Sequence, residues 1–144
     1  MRRIEKGRVM AVRTDEIFIG GRWRKPTGAG TIEIENPSNG DTMGEIAASQ
    51  PADVDEAVDA ARSALNGEWG GLSAVDRGRI LTNIGRAVSE QIEDLAQMEA
   101  LDVGKPLKQA RADAVALARY LEFYGGCADK FHGETIPYGN DYTV

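Results

Sequence analysis

Cys127 is the only thiol of the 144-residue chain, and its only histidine, His132, follows five residues later. A cysteine nucleophile needs a neighbouring base, a cation or a helix N-terminus to lower its pKa. Cys127 falls instead near the C-terminal end of a long predicted helix, where the helix dipole opposes a thiolate. His132 does not share its helical face. Cys127 therefore reads as structural. His132 lacks a second histidine or a cysteine at metal-ligand spacing, and reads as a helix-end or loop residue. Carboxylates cluster at Asp53/Asp55/Glu56 and at Glu90/Glu93/Asp94. They alternate with apolar positions in the manner of solvated helix faces, and nothing marks them as an acid–base pair.

Three glycine groups could cradle a phosphate: Gly20-Gly21, Gly28-Ala29-Gly30 and Gly125-Gly126. A dinucleotide loop needs its glycines after a strand and at the opening of a helix. Gly28 and Gly30 lead into a strand, and Gly125-Gly126 lie within a helical pattern. No Walker-type lysine accompanies any of them. These are turn and packing glycines.

The elements around these residues follow from periodicity. Ile17-Phe18-Ile19 and Arg22-Trp23-Arg24 flank Gly20-Gly21, the pattern of a hairpin. Thr31 to Glu35 alternates apolar and charged residues as a strand with one buried face does. After the turn residues Asn36-Pro37-Ser38-Asn39-Gly40, a weaker strand runs from Met43 to Ala47. The spacing then predicts three helices. The first is capped by Asp53 with Glu56 three residues on, and its inner stripe is Val54, Ala57, Val58, Ala61 and Leu65. Ser73 caps the second, with Asp76 in its first turn and Leu81, Ile84, Val88, Ile92, Leu95 and Met98 or Glu99 inward. Gly104 suits its C-terminal cap and Pro106 the first position of the next helix. The third carries Leu107, Ala110, Ala114, Leu117, Leu121, Tyr124, Ala128 and Phe131 on one seam, whose small members permit close helix approach. Gly125-Gly126 cost that helix about 1 kcal/mol each, which close backbone packing can offset. From Tyr142 the chain enters a further strand.

Composition bounds the function. Hydrophobic residues make up 42% and charged residues 28%, ordinary for a globular protein, and no apolar run is long enough to cross a membrane. A single cysteine gives no reason to expect an oxidising compartment, so cytoplasm is the expected location. The net charge of −6 is uneven: Arg2, Arg3, Lys6, Arg8 and Arg13 face only Glu5 in the first 13 residues. The body is thus strongly acidic, which disfavours a nucleic-acid partner. Residues 1–16 read as a basic, disordered arm, and Met10 is an alternative translation start.

In order and spacing, several segments together resemble the aldehyde dehydrogenase superfamily. They are Phe18-Ile19-Gly20-Gly21-Arg22-Trp23, Asn36-Pro37-Ser38-Asn39-Gly40, and Asp53 to Val58 with Ala60-Ala61-Arg62. Trp69, Arg77 and Ile80-Leu81 follow, then Glu99-Ala100-Leu101-Asp102-Val103-Gly104-Lys105-Pro106, Tyr124 to Lys130 and Gly133 to Pro137. The resemblance runs from Ile17 to Val144. It implies an α/β architecture: the N-terminal portion of an aldehyde dehydrogenase-like fold, a small antiparallel β unit followed by three α-helices and the start of a further strand. Residues 17–144 are then a partial segment associated with the cofactor domain.

The resemblance also implies an activity for the complete protein, the NAD- or NADP-dependent oxidation of an aldehyde to a carboxylic acid. In the family a cysteine attacks the carbonyl, hydride passes to the nicotinamide, and a glutamate assists hydrolysis. None of those residues has a counterpart here, and Cys127 does not match the nucleophile. The oxyanion-stabilising Pro-Trp-Asn motif of the family comes just after the position of Val144. The chain alone is therefore expected to have no catalytic or cofactor-binding residues and no bound cofactor. Its expected partner is the remainder of an aldehyde dehydrogenase, on the same or a separate chain, with a homo-oligomer once complete. Many members hold a structural monovalent cation through a strand carbonyl and the aspartate of the Asp-x-Gly-Lys-Pro segment. The matching positions are Ile34 and Asp102, with at least one more ligand expected from later in the family's chain. The alternative function is a non-catalytic interaction module or pseudoenzyme remnant that binds another protein.

Overall fold

The computed structural model describes residues 14–135, 137–139 and 142–143. The basic arm through Arg13, the alternative start Met10 and the last residue Val144 lie outside them. Strands β1 (Ile17–Ile19) and β2 (Arg22–Arg24) pair antiparallel, with Phe18 opposite Trp23. Gly20 and Gly21 join them at φ +57° and +79°. Two successive positive φ values define the two-residue turn whose twist matches a hairpin. Strands β3 (Thr31–Glu35) and β4 (Thr42–Ala47) form a second antiparallel pair, whose register shifts between Ile34 and Glu35. The Asn36 side chain accepts from the Ser38 amide and the Asn39 side chain from the Asp41 amide, which builds the intervening turn. The expected β unit is therefore two separate hairpins. The carbonyl of Thr14, just ahead of β1, accepts from Ala47 and connects them, while that of Gly30 accepts from Ala48 and extends the β3–β4 ladder.

Five helical segments follow: α1 (Pro51–Asn66), the single turn α2 (Glu68–Gly71), α3 (Ala74–Ser89), α4 (Ile92–Val103) and α5 (Leu107–Cys127). A last antiparallel pair, β5 (Pro137–Gly139) and β6 (Tyr142–Thr143), includes the strand expected at Tyr142.

Four details depart from the periodicity reading. Helix α1 starts one turn early: Gln50 is the cap, and Asp53 reaches back from the third helical position to accept the Gln50 amide at 2.8 Å. The expected second helix is two, broken at Glu90 and Gln91. There Ser89 turns its hydroxyl onto the Gly85 carbonyl and Gln91 its amide onto the Ala87 carbonyl, so side chains compete for helical acceptors. Pro106 is the cap of α5 instead of its first residue. Helix α5 ends at Cys127, and its buried positions are Ala110, Ala114, Ala118 and Gly125. Of the expected seam, Leu107, Leu117, Tyr124 and Phe131 are exposed.

The core explains that last shift. Helices α3 and α5 cross with glycine against glycine: a Cβ on Gly78 would lie 2.3 Å from the Gly125 carbonyl oxygen, and one on Gly125 would lie 2.7 Å from that of Gly78. A Cβ on Gly85 would meet the Ala118 carbonyl oxygen at 2.9 Å. The helix backbones touch here, so the buried stripe follows the small residues. Helix α4 packs on the N-terminal half of α5, where Ala96 and Ala110 are fully buried. Arg111 and Glu93 clip the two helices together at 2.5 and 2.8 Å.

Candidate docking face and cation groove

Ser73 accepts the Asp76 amide at 3.1 Å and fixes the start of α3, and Gly104 ends α4 in the left-handed conformation at φ +68°. That glycine sits against the β3–β4 turn: a Cβ there would meet Pro37 Cγ at 3.0 Å. The contact brings the end of α4 onto the β3–β4 hairpin, and an open groove of about 910 Å³ lies between them. Met43, Ile46, Leu95, Met98, Leu101 and Leu117 give it apolar walls, and Ile34 and Asp102 line it together. The two positions expected to supply oxygen ligands thus face one space, although 68 residues separate them in the chain. The ladder register shifts directly after Ile34, where a bulge disrupts regular pairing. Lys105 binds Glu99 at 2.5 Å and Asp113 at 2.6 Å beside the groove. Hydrogen bonds from these two carboxylates raise the Lys105 pKa above its ordinary value, Asp113 contributing most. Among the described residues no group of three His, Cys, Asp or Glu side chains is placed to hold a metal ion.

The groups considered for nucleophilic chemistry stay apart from any such arrangement. Cys127 is the last residue of α5 and half-buried, and His132 is exposed beyond the helix end. The glycines do not form a nucleotide cradle either. Gly20 and Gly21 make a tight turn, Gly28 and Gly30 precede β3, and Gly125 is occupied by α3.

Large apolar side chains remain on the outside. On α5, Tyr120, Phe123 and Tyr124 stand about 60% exposed, with Phe123 edge-on to Tyr124 at 5.2 Å. On α1 the expected stripe is divided. Ala57, Ala60, Ala61 and Ala64 line a shallow groove with Phe18 and Ile19, while Val54, Val58 and Leu65 stay exposed. Both helices thus carry large apolar side chains in solvent.

Periodicity missed the burial of one residue. Asp53, read as a solvated carboxylate, is 1% exposed. Its carboxylate accepts from the Gln50 amide, from the Thr27 amide and hydroxyl, and from Arg24 at 3.0 Å. The Gln50 amide, more than any other of these groups, holds its pKa below the ordinary 3.8. The same Arg24 binds Glu56 at 2.5 Å. The only sequence signal was an aspartate three residues after Gln50, at the reciprocal position of a capping box.

Comparison with known proteins decides the family. The aldehyde dehydrogenase family model matches residues 23–144. The chain belongs to the aldehyde dehydrogenase family. It is 38% identical over 131 residues to the mitochondrial aldehyde dehydrogenase of Sus scrofa, covering 89% of this chain and 25% of that protein. A provisionally assigned aldehyde dehydrogenase from Burkholderia cenocepacia superposes with TM-score 0.82 at 53% identity, over 88% of this chain and 27% of the other. The NAD+ complex of an aldehyde dehydrogenase from Bacillus cereus gives TM-score 0.82 at 35% identity, over 89% and 26%. The α/β architecture is that of the aldehyde dehydrogenase N-terminal segment, and the chain spans about a quarter of the length of the relatives it matches. Among the described residues no helix is long and apolar enough to cross a membrane.

Proposed function

We propose that this chain acts as the N-terminal segment of an NAD- or NADP-dependent aldehyde dehydrogenase and becomes part of a working enzyme only with the remainder of that fold. The observation that carries the reading is the unpartnered apolar surface on α1 and α5 of a segment that matches about a quarter of each relative. Aldehyde oxidation, the nucleotide site and the catalytic cysteine belong to the remainder. This chain contributes scaffold: the α3–α5 crossing, the faces on which the remainder seats, and one wall of a cation site. There the Ile34 carbonyl and the Asp102 carboxylate supply two oxygen ligands to a monovalent cation, as suits a hard ion, and the remainder completes the shell. The complete protein is a homo-oligomer of the cytoplasm.

The test is complementation. The chain is mixed or co-expressed with an aldehyde dehydrogenase polypeptide that begins where the match to this chain ends, and NADH formation from an aldehyde is followed. Expected are a stable complex and NAD-dependent oxidation that neither piece shows alone. A complex that alters the partner's behaviour without cofactor, and without restored turnover, overturns the enzyme reading in favour of an interaction module.

A further inference from the structure

The β1–β2 hairpin rests on α1 through a thin apolar contact. The side chains that face it across a shallow groove are alanines, Ala57, Ala60, Ala61 and Ala64, and Phe18 keeps more than half of its surface in water. A contact of this kind buries little area, so little hydrophobic free energy holds the hairpin down. The polar connection is of another quality. Asp53 accepts from four donors, in the cap of α1, the loop after β2 and β2 itself: the Gln50 amide at 2.8 Å, the Thr27 amide at 3.1 Å, the Thr27 hydroxyl at 3.2 Å and Arg24 at 3.0 Å. A single carboxylate thereby ties β2, the loop before β3 and the first turn of α1 to one point. Helix α1 in turn packs chiefly on α2 and β1, apart from the α3–α5 pair.

We propose that Asp53 is an acid-sensitive latch: its ionised carboxylate holds the β1–β2 hairpin on α1, and its protonation releases the hairpin as a unit while α3, α4 and α5 stay packed. The charged groups that face it are Arg24, from β2, and Glu56, one turn further along α1, which shares that arginine. Every partner of the carboxylate is a donor, so the neutral acid loses at least one acceptor site and leaves a buried N–H or O–H without a partner. The direction of the pH dependence follows. The folded pKa lies below 3.8, the value of an ordinary aspartate. The unfolded hairpin therefore binds the proton more readily than the latched one. Latch stability is complete above pH 3.8 and is lost as the pH falls through the lower, folded pKa. The α3–α5 crossing is held by glycine and alanine packing and has no corresponding buried carboxylate among the described residues.

Amide exchange and chemical shifts of the full chain, followed by NMR across an acid titration, test this. The Thr27 amide, which donates to the carboxylate, reports the latch; β1 and β2 report the hairpin; α3 and α5 report the rest. Expected is loss of protection in β1, β2 and Thr27 at a higher pH than any loss in α3 and α5. Asp53→Asn is expected to show the open hairpin already at neutral pH with the α3–α5 amides still protected, and Glu56→Gln to leave the latch closed. If Asp53→Asn does not fold, Thr27→Val decides. Removing one hydroxyl donor moves hairpin opening to higher pH, with helical content at neutral pH unchanged. Hairpin and helices opening together in the unaltered chain overturn the proposal, as does an opening pH that Thr27→Val leaves in place. Neither outcome depends on whether complementation restores aldehyde oxidation.

Discussion

The inner and outer faces of α5 are made from opposite residue types. Facing α3 and α4 are Ala110, Ala114, Ala118 and Gly125, all buried. Facing outward are Tyr120, Phe123 and Tyr124, all more than half exposed. In a protein folded only for itself, large apolar residues fill the core and small ones are scattered. Here the small residues mark where backbones touch, and the large ones mark surface without an occupant. The α3–α5 contact is thus complete within this chain, whereas the outer face leaves its large side chains in solvent. The two faces should respond differently to substitution.

The largest effect belongs inside. Gly78→Ala places a methyl group 2.3 Å from the Gly125 carbonyl oxygen and 3.0 Å from Ala128 Cβ. Neither α3 nor α5 can yield without opening the crossing, so a loss of about 3 kcal/mol is expected, the upper range of overpacking. Urea unfolding of the 144-residue chain, followed by helical circular dichroism, measures it. A loss below about 1 kcal/mol would mean that the crossing is loose and that the inner face is not complete after all.

Gly104→Ala comes next. It forces a side chain into the left-handed region at φ +68° and against Pro37 Cγ at 3.0 Å. The backbone conformation alone costs about 1–2 kcal/mol, and the same unfolding measurement should read about 1.5 kcal/mol. Because Gly104 positions α4 against the β3–β4 turn, the variant should also loosen the groove that holds Ile34 and Asp102. Gly126→Ala is smaller and opposite in sign. Nothing lies within 4 Å of its added Cβ, and removing a glycine from a helix gains about 0.5 kcal/mol. Its neighbour Gly125, whose added Cβ would lie 2.7 Å from the Gly78 carbonyl oxygen, has no such room.

The parts of this fold that were legible in the sequence depend on neighbours close along the chain. Gly20-Gly21 between two β-type runs requires a hairpin, and the observed turn has both glycines at positive φ. Ser73 with Asp76, and Gly104 before Pro106, mark helix ends through local hydrogen-bond chemistry, and both act as caps. The close approach at Gly125 could be expected because a helix glycine needs a compensating contact. Long-range packing was not legible. A seam through Leu107, Leu117, Tyr124 and Phe131 satisfies helical periodicity as well as the alanine stripe does, and hydrophobicity alone favours the larger residues. Periodicity cannot tell a face that packs on α3 from one whose partner is elsewhere. Asp53 escaped for a related reason: burial of a carboxylate depends on Arg24 and Thr27, 29 and 26 residues away, and no local pattern records them. The Ile34 and Asp102 positions came from family resemblance alone, and their shared groove arises from the Gly104–Pro37 contact.

The smallest expected change in stability makes the sharpest test of the comparison. Tyr120 and Phe123 are each 62% exposed, so replacing both with serine removes little that the folded chain has buried. Surface changes of this kind stay within about 0.5 kcal/mol, and serine lowers helix propensity by only a few tenths. Unfolding of the isolated double variant should therefore be close to that of the parent. Complementation should not survive as well. If the outer face of α5 seats against the remainder of the fold, losing two aromatic anchors at its centre costs about 2 kcal/mol or more each. The concentration of chain needed for half-maximal activity then rises about a thousandfold. A variant that keeps its stability and loses its partner separates the two faces. One that loses stability by several kcal/mol would place Tyr120 and Phe123 in the chain's own core, and one that complements at the parent's concentration would move the docking face off α5 and onto the exposed Val54, Val58 and Leu65 of α1.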